Sequence, residues 1–469
     1  MMSKAHSTLS RREFLKALGL GGVGVTAAAI APPAFRDLDE VMASPIASMK
    51  RPSWVKEVSK PTVEINWNIM NRFSDYEVMW GGGFVKAVGP AFAAEVIRQA
   101  NLDVTRWRID KKPGYTLPDS ALANSQYGAP LSFLGPRTSP TPESLGVPRW
   151  EGTPEENARL VSAYLRMHGA YHVTFAELDT DTTERMINLH DAGKDRVALG
   201  PRIDILDVDQ PEDHPEDEVT GCGGYRVMPK KARSVIVYTL RMSPELIHRA
   251  PGFISNREHS YMYDLRSILQ GQFQNFMRTL GYWCFGDTLK AAAFGQGTGF
   301  GVMSGLGETC RVMHTITPEF GLMQRVFIVV TDMPLPPGKP VDFGVMKFCR
   351  TCKKCADLCP AQAIPSDTEP SWEVKGPYSR PGVKHWYRNE ARCRAYIYRA
   401  GACAICFAVC PYSKLHGGSY TNIWQSTVAK TSIFNRAIRK MDDFMGYGAR
   451  TGDDIENFWN FELPPFGWT

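Results

Sequence analysis

The sequence predicts a mixed α+β or α/β body followed by a small cysteine-rich module. Three observations carry this. Strand-like and helix-like runs alternate between about residues 160 and 340. Eight cysteines crowd into residues 349–410 in two similarly spaced runs. The chain has 469 residues, too many for one ordinary core, which suggests two or three domains.

Composition suits a soluble globular protein, with 43% hydrophobic and 22% charged residues. The net charge is +5, from 54 basic and 49 acidic residues. So small an excess argues against a nucleic-acid binder that reads phosphates with a broad basic face.

The first segment, residues 1–43, is built like an export signal. Ser10-Arg11-Arg12-Glu13-Phe14-Leu15-Lys16 precedes a weakly apolar, Gly- and Ala-rich stretch from Ala17 to Phe35. This resembles a twin-arginine signal. A short membrane anchor is the competing reading, but the Gly-rich run makes a poor span. Cleavage is expected after Ala31 or at a small residue near Ala43. No other stretch of about 18 apolar residues occurs, so the mature protein should not span a membrane by itself. Twin-arginine export carries folded proteins, which suits cofactors inserted in the cytoplasm.

Residues 44–159 are rich in Trp, Pro and Gly (Trp54, Trp67, Trp80, Gly81 to Gly83) and poor in periodicity, so a loop-rich region is expected. Near its end, Thr153-Pro154-Glu155-Glu156 opens a helix: a Thr cap, Pro in the first turn, and Glu three after the cap. Leu160, Val161, Tyr164 and Met167 would form its apolar stripe.

Residues 160–340 hold the expected body domain. Val235 to Leu240 and Val326 to Thr331 read as buried strands. Between them Leu265, Ile268, Leu269, Phe273, Phe276, Met277 and Leu280 recur at helical spacing. Acids at 204, 207, 209, 212, 213, 216, 217 and 218 lack a regular calcium-ligand spacing, so they read as a solvated loop.

The module, residues 341–420, carries the chemistry. In an exported protein, 11 cysteines first suggest disulfides. The spacing rejects that. Cys349-x2-Cys352-x2-Cys355-x3-Cys359-Pro360 is the bacterial ferredoxin run. Cys393 follows, then nine residues, then Cys403-x2-Cys406-x3-Cys410-Pro411. Three thiolates two residues apart wrap three irons of a cubane, and the fourth serves the other cluster. One 4Fe–4S cluster is therefore assigned to Cys349, Cys352, Cys355 and Cys410, and the other to Cys359, Cys393, Cys403 and Cys406. Cys393 is the least regular ligand, since a loop from Arg394 to Ala402 must bring it back. Zinc would also use Cys pairs but explains neither the x3-Cys-Pro endings nor their duplication. Cys222, Cys284 and Cys310 read as buried free thiols. The tail, 421–469, holds Trp424, Phe444, Trp459 and Trp468 and should fold back over the body.

This order of parts resembles the corrinoid-dependent reductive dehalogenases of organohalide-respiring bacteria over essentially the whole chain. The resemblance rests on the twin-arginine start, Leu280-Gly281-Tyr282, Gly305-Leu306-Gly307-Glu308 and Thr317-Pro318-Glu319-Phe320-Gly321 ending at Arg325. Thr331-Asp332-Met333-Pro334-Leu335 and Phe348 to Pro360 complete it. It implies a nitroreductase-like body that binds a cobalamin-type corrinoid without a protein ligand to cobalt. No Asp-x-His-x-x-Gly run is present, which agrees.

The resemblance also implies a tyrosine proton donor, which falls on Tyr263, and a basic partner, which falls on Arg325. Tyr261 belongs to the apolar stripe; Tyr263 lies off it with Arg266, Ser267 and Gln270. Periodicity alone would place that face in solvent, and the resemblance makes it a pocket wall. Arg325 could otherwise serve a structural ion pair with Glu308 or Glu319. An asparagine usual before the Gly-Leu-Gly-Glu stretch is replaced by alanines at 291–293.

The implied activity is reduction of chlorinated organics, ethenes or aromatics, as the terminal reductase of an anaerobic respiration. The implied partners are an organohalide, a small membrane-anchor protein and an external electron-donor chain, at the outer face of the cytoplasmic membrane. Two other readings remain: an epoxyqueuosine-reductase-like enzyme, or a non-catalytic iron–sulfur electron carrier.

Overall fold

The computed structural model describes residues 51–462 except 78–81, 126–127, 193–198, 215–223, 289–293, 415–418, 447, 451 and 461. The export segment, Trp80, Gly81, Glu216 to Glu218, Cys222, the alanines at 291–293 and Trp468 lie outside the described residues.

The body is built on a four-stranded antiparallel sheet. Ser234–Arg241 pairs with Val173–Glu177 on one side and with Gln324–Thr331 on the other, and Cys284–Phe285 closes that far edge. The two buried strands expected from sequence are therefore direct neighbours, in register from Gln324 opposite Arg241 to Thr331 opposite Ser234. Both are continuous apolar runs because both sheet faces are covered. Alternate residues feed separate cores: Ile236, Tyr238, Leu240, Phe327 and Val329 enter one, and Val235, Val237, Ile328 and Val330 the other.

The helix Phe253–Leu280 supplies Met262, Leu269, Phe273 and Met277 to the first core. Ile268, expected in that stripe, is 44% exposed. The opposite, polar side is not solvated. Glu258, Asp264, Arg266, Ser267, Gln270 and Gln274 are buried. They bond to covering chain: the Gln274 amide donates to the carbonyls of Ser132, Phe133 and Cys284 at 3.0–3.2 Å, and Arg266 pairs with Asp287.

Several local expectations change. The region before 159 is partly helical, with Pro90–Ile109 and Leu117–Asn124. The first of these hides from periodicity because it buries only Ala93 and Ala100, while Phe92, Ile97, Leu102 and Ile109 face outward. Pro154–Met167 has the expected reciprocal Thr153–Glu156 cap, but buries Asn157, Val161 and Leu165 and exposes Met167. The acidic run is not one solvated loop. Asp204 lies in the strand Leu199–Leu206, and Glu212 and Asp213 lie in Glu212–His214, where Asp213 accepts from Arg226 at 2.8 Å. Both strands belong to a second sheet with His190–Ala192 and Tyr225–Pro229.

The cysteine module shares the first core of the body, contributing Phe348, Cys352, Ile364, Phe407 and Tyr412. At the seam, Gly321 has φ +58°, and a Cβ there would stand 2.1 Å from the Tyr412 carbonyl oxygen, so glycine alone fits. The tail folds back. Trp424 is buried against Tyr412 and Phe348, with ring centroids 4.9 and 5.7 Å away. Trp459 Nε1 donates to Asp119 at 2.9 Å, although Phe444 stays exposed.

Candidate functional site

The chain brings the cysteines into two groups. Cys349 and Cys352 end the helix Val345–Cys352, Cys355 sits in the next turn, and Cys410 crosses over from the second run. These four line one small space, with Cys310 beside them and Cys406 reaching it from the second run. Cys403, Cys406 and the crossing Cys359 line a different wall together with Cys393. Cys393 arrives on the helix Glu390–Arg399, so the spacer after it is mostly helix rather than the expected loop.

Burial pushes Cys349, Cys352 and Cys410 up to about 12. Crowded, dry thiols keep their protons until a cationic centre replaces them, which is what iron would do here. Among the described residues no three His, Cys, Asp or Glu side chains converge as they would on a single ion. The groups surround spaces, as cubane ligands do. Of the other thiols, Cys284 and Cys310 are buried and free, as expected.

The second cysteine group faces a cavity of about 340 Å³. Its opposite wall is one face of the long helix: Asn256, His259, Ser260 and Tyr263, at i, i+3, i+4 and i+7. Arg325 enters from the adjacent strand. Its guanidinium carbon lies 5.3 Å from the Tyr263 ring centroid, and its Nη2 donates to His259 Nδ1. Phe327 packs edge-on to the Tyr263 ring at 6.0 Å.

Neither carboxylate considered for Arg325 is its partner. Glu308 accepts from the N–H groups of Phe343 (2.7 Å) and Val345 (3.1 Å) and from Thr62 Oγ1 (2.5 Å), and burial pushes its carboxyl up to about 7. Glu319 pairs with His172 Nε2 at 3.0 Å and with Arg51 at 3.9 Å.

Two imidazoles in this wall escaped the sequence reading. Burial, reinforced by the charge of Arg325, drives His259 well below the usual range. Burial, with Arg388 and Arg325 nearby, drives His314 down to about 3. Both are neutral at ordinary pH, and because a guanidinium can only donate, the contact with Arg325 requires the His259 tautomer whose Nδ1 is bare. The i, i+4 spacing of His259 and Tyr263 was the available signal.

Two further cavities adjoin. One of about 240 Å³ shares Tyr263, His314, Arg325 and Phe407 with the first. One of about 400 Å³ meets the second at Gly297, Thr298 and His314, and is walled by Trp67, Met70, Phe73 and Tyr387. Several buried polar atoms on these walls have no hydrogen-bond partner: Gln324 Oε1, Arg325 Nε, Arg380 Nε, His385 Nδ1 and Glu390 Oε2. Such groups are costly unless something meets them. A large ligand with a broad apolar centre and a rim of amides would fill the joined space and satisfy them.

Comparison with known proteins gives two family matches. The model of the reductive dehalogenase subunit matches residues 50–335, and that of the 4Fe-4S double cluster binding domain matches residues 348–413. The chain is 26% identical to a chloroethene reductive dehalogenase of Dehalococcoides mccartyi (strain VS), covering 100% of this chain and 99% of that one. It is 32% identical to a tetrachloroethene reductive dehalogenase of Sulfurospirillum multivorans over 51% of this chain and 47% of that one. A solved reductive dehalogenase, whose structure is described as suggesting a mechanism for B12-dependent dehalogenation, shares the fold. Its TM-score is 0.54 at 18% identity, covering 83% of this chain and 49% of that one. This chain thus spans about half the length of that solved structure. An epoxyqueuosine reductase of Lactococcus garvieae matches over only 24% of the chain.

Proposed function

Because this chain belongs to the reductive dehalogenase family, we propose that it replaces a halogen on a small organohalide with hydrogen. The overall change is RX + 2e⁻ + H⁺ → RH + X⁻. Electrons pass singly through the two 4Fe–4S clusters. The observation that carries the reading is the face-to-face arrangement of the second cysteine group and the Tyr263–Arg325–His259 group across one cavity.

A corrinoid held in the joined cavities would supply the low-valent cobalt chemistry that breaks the carbon–halogen bond. Gln324, Arg325, Arg380, His385 and Glu390 would meet its amide rim, since each has a polar atom waiting there. The chain's own residues do the rest. The Tyr263 hydroxyl gives its proton to the carbon that loses halide. Arg325 offsets the tyrosinate charge left behind. His259, neutral, holds Arg325 in place. Trp67, Met70, Phe73 and Tyr387 offer an apolar wall that selects by shape and excludes water, which suits an uncharged chlorinated ethene or aromatic.

We further propose that the twin-arginine segment takes the folded, loaded protein to the outer face of the cytoplasmic membrane. There it would work with a small membrane-anchor protein and an external donor, in organohalide respiration. Among the described residues no helix is long and apolar enough to cross a membrane.

The deciding experiment is extraction of the purified protein and its corrinoid absorption spectrum. A corrinoid near one per chain is expected. Protein with all its iron and no corrinoid, yet carrying electrons between added donors and acceptors, would replace this reading with that of a non-catalytic carrier.

A further inference from the structure

Arg311 is buried beside the first cysteine group. Its Nε and Nη2 donate to the Cys349 carbonyl at 3.2 and 2.7 Å. Its Nη1 donates to the carbonyls of Pro365 (2.7 Å) and Asp367 (2.8 Å). The Trp386 ring centroid lies 4.2 Å from the guanidinium carbon. Every one of these contacts is a neutral dipole or a π face. Among the described residues no carboxylate stands within ion-pair distance of this guanidinium.

A buried cation is costly unless an anion faces it. The chief anions here are the ligand thiolates, with the Asp367 carboxylate a lesser one. Burial pushes the Arg311 guanidinium down, and Cys349, Cys355 and Cys352, followed by the Asp367 carboxylate, push it back up. The second cysteine group is arranged differently. Its half-buried arginine, Arg388, sits by Cys393 and Cys406 but carries its own carboxylate, Glu390, at 2.7 Å.

We propose that Arg311 is a positioning residue for electron entry, whose charge, held by backbone carbonyls rather than by a paired carboxylate, raises the reduction potential of the cluster on Cys349, Cys352, Cys355 and Cys410. Adding an electron makes that cluster one unit more negative, and a fixed cation in a dry site favours the product. This cluster stands back from the catalytic cavity, whereas the Cys359–Cys393–Cys403–Cys406 group lines it. The outer cluster is thereby the readier acceptor of an electron from a low-potential one-electron donor, and the inner one hands it on. The claim rests on the cluster assignment and not on the dehalogenation reading.

The test is an EPR-monitored redox titration of holoenzyme carrying Arg311→Gln or Arg311→Lys, with iron counted in each. In Arg311→Gln one cluster midpoint should move to more negative potential while the other stays. In Arg311→Lys, which keeps the charge and loses the fork, both should stay near wild type. Unmoved midpoints in iron-replete Arg311→Gln would overturn the proposal. So would an equal fall in both variants. If only Arg311→Gln loses iron, the lysine variant decides alone, and a fall in its midpoint counts against the charge. Iron loss from both would make the role of Arg311 purely structural and end the claim.

Discussion

His259 and Tyr263 lie one turn apart on the same helix and share one partner, Arg325, which donates to the imidazole and leans over the phenol ring. The helix contributes the acceptor and the proposed proton source from one face, and the sheet contributes the cation from the start of the strand Gln324–Thr331. Neither element alone builds the group.

Tyr263→Phe keeps the ring that packs on Phe327 and removes only the hydroxyl. Dehalogenation should fall by roughly 10²–10⁴-fold, the usual worth of a positioned proton donor, with iron and cobalt contents unchanged. Arg325→Gln should lower kcat by at least about tenfold at similar metal content. Full activity in the phenylalanine variant would remove Tyr263 from the mechanism.

The crossing of the cysteine runs is open to a direct count. Cys410→Ala should disable the cluster of Cys349, Cys352 and Cys355, leaving about four irons per chain, and Cys359→Ala should disable the other. The two variants should keep different EPR signals. If both keep the same signal, the fourth ligands have been assigned wrongly.

Acid should weaken the fold through buried imidazoles. Burial holds His248 and His314 at about 3, below the ordinary 6.5. Lowered folded-state values mean that the unfolded chain binds protons first. Their contribution is therefore fully present above about pH 6.5 and is lost as pH falls toward 3. Thermal unfolding of the apoprotein should show Tm falling across that window, and His314→Gln should flatten the slope.

The tail should prove structural. Trp424→Ala removes a buried indole packed edge-on to Tyr412 and tilted against Phe348, and should cost about 3–5 kcal/mol. Denaturant melting would show it. An unchanged midpoint would mean the tail is not docked in solution.

Much of this protein is legible along the chain because short-range chemistry wrote it there. Ligand spacing in Cys349–Cys359 and Cys403–Cys410, the Thr153 cap and the runs Val235–Leu240 and Val326–Thr331 depend on neighbours within a few positions. Periodicity alone set Tyr263 off the apolar stripe and toward solvent, yet it packs against the same core as Tyr261. Other features are set by what covers an element, which periodicity does not encode. The polar side of Phe253–Leu280 reads as solvated until chain around residues 132–133 is laid across it, and it then becomes a buried network. The helix Pro90–Ile109 reads as loop because it buries so little.

The sequence by itself determined the cluster chemistry and the identities of the two buried strands. Only the tertiary structure decided that Arg325 turns to His259 rather than to Glu308 or Glu319, that Cys393 rides a helix, and that the Arg311 guanidinium donates to the backbone carbonyls of Cys349, Pro365 and Asp367. Each is a choice among partners far apart in the chain, made by which groups are left dry together when the core closes.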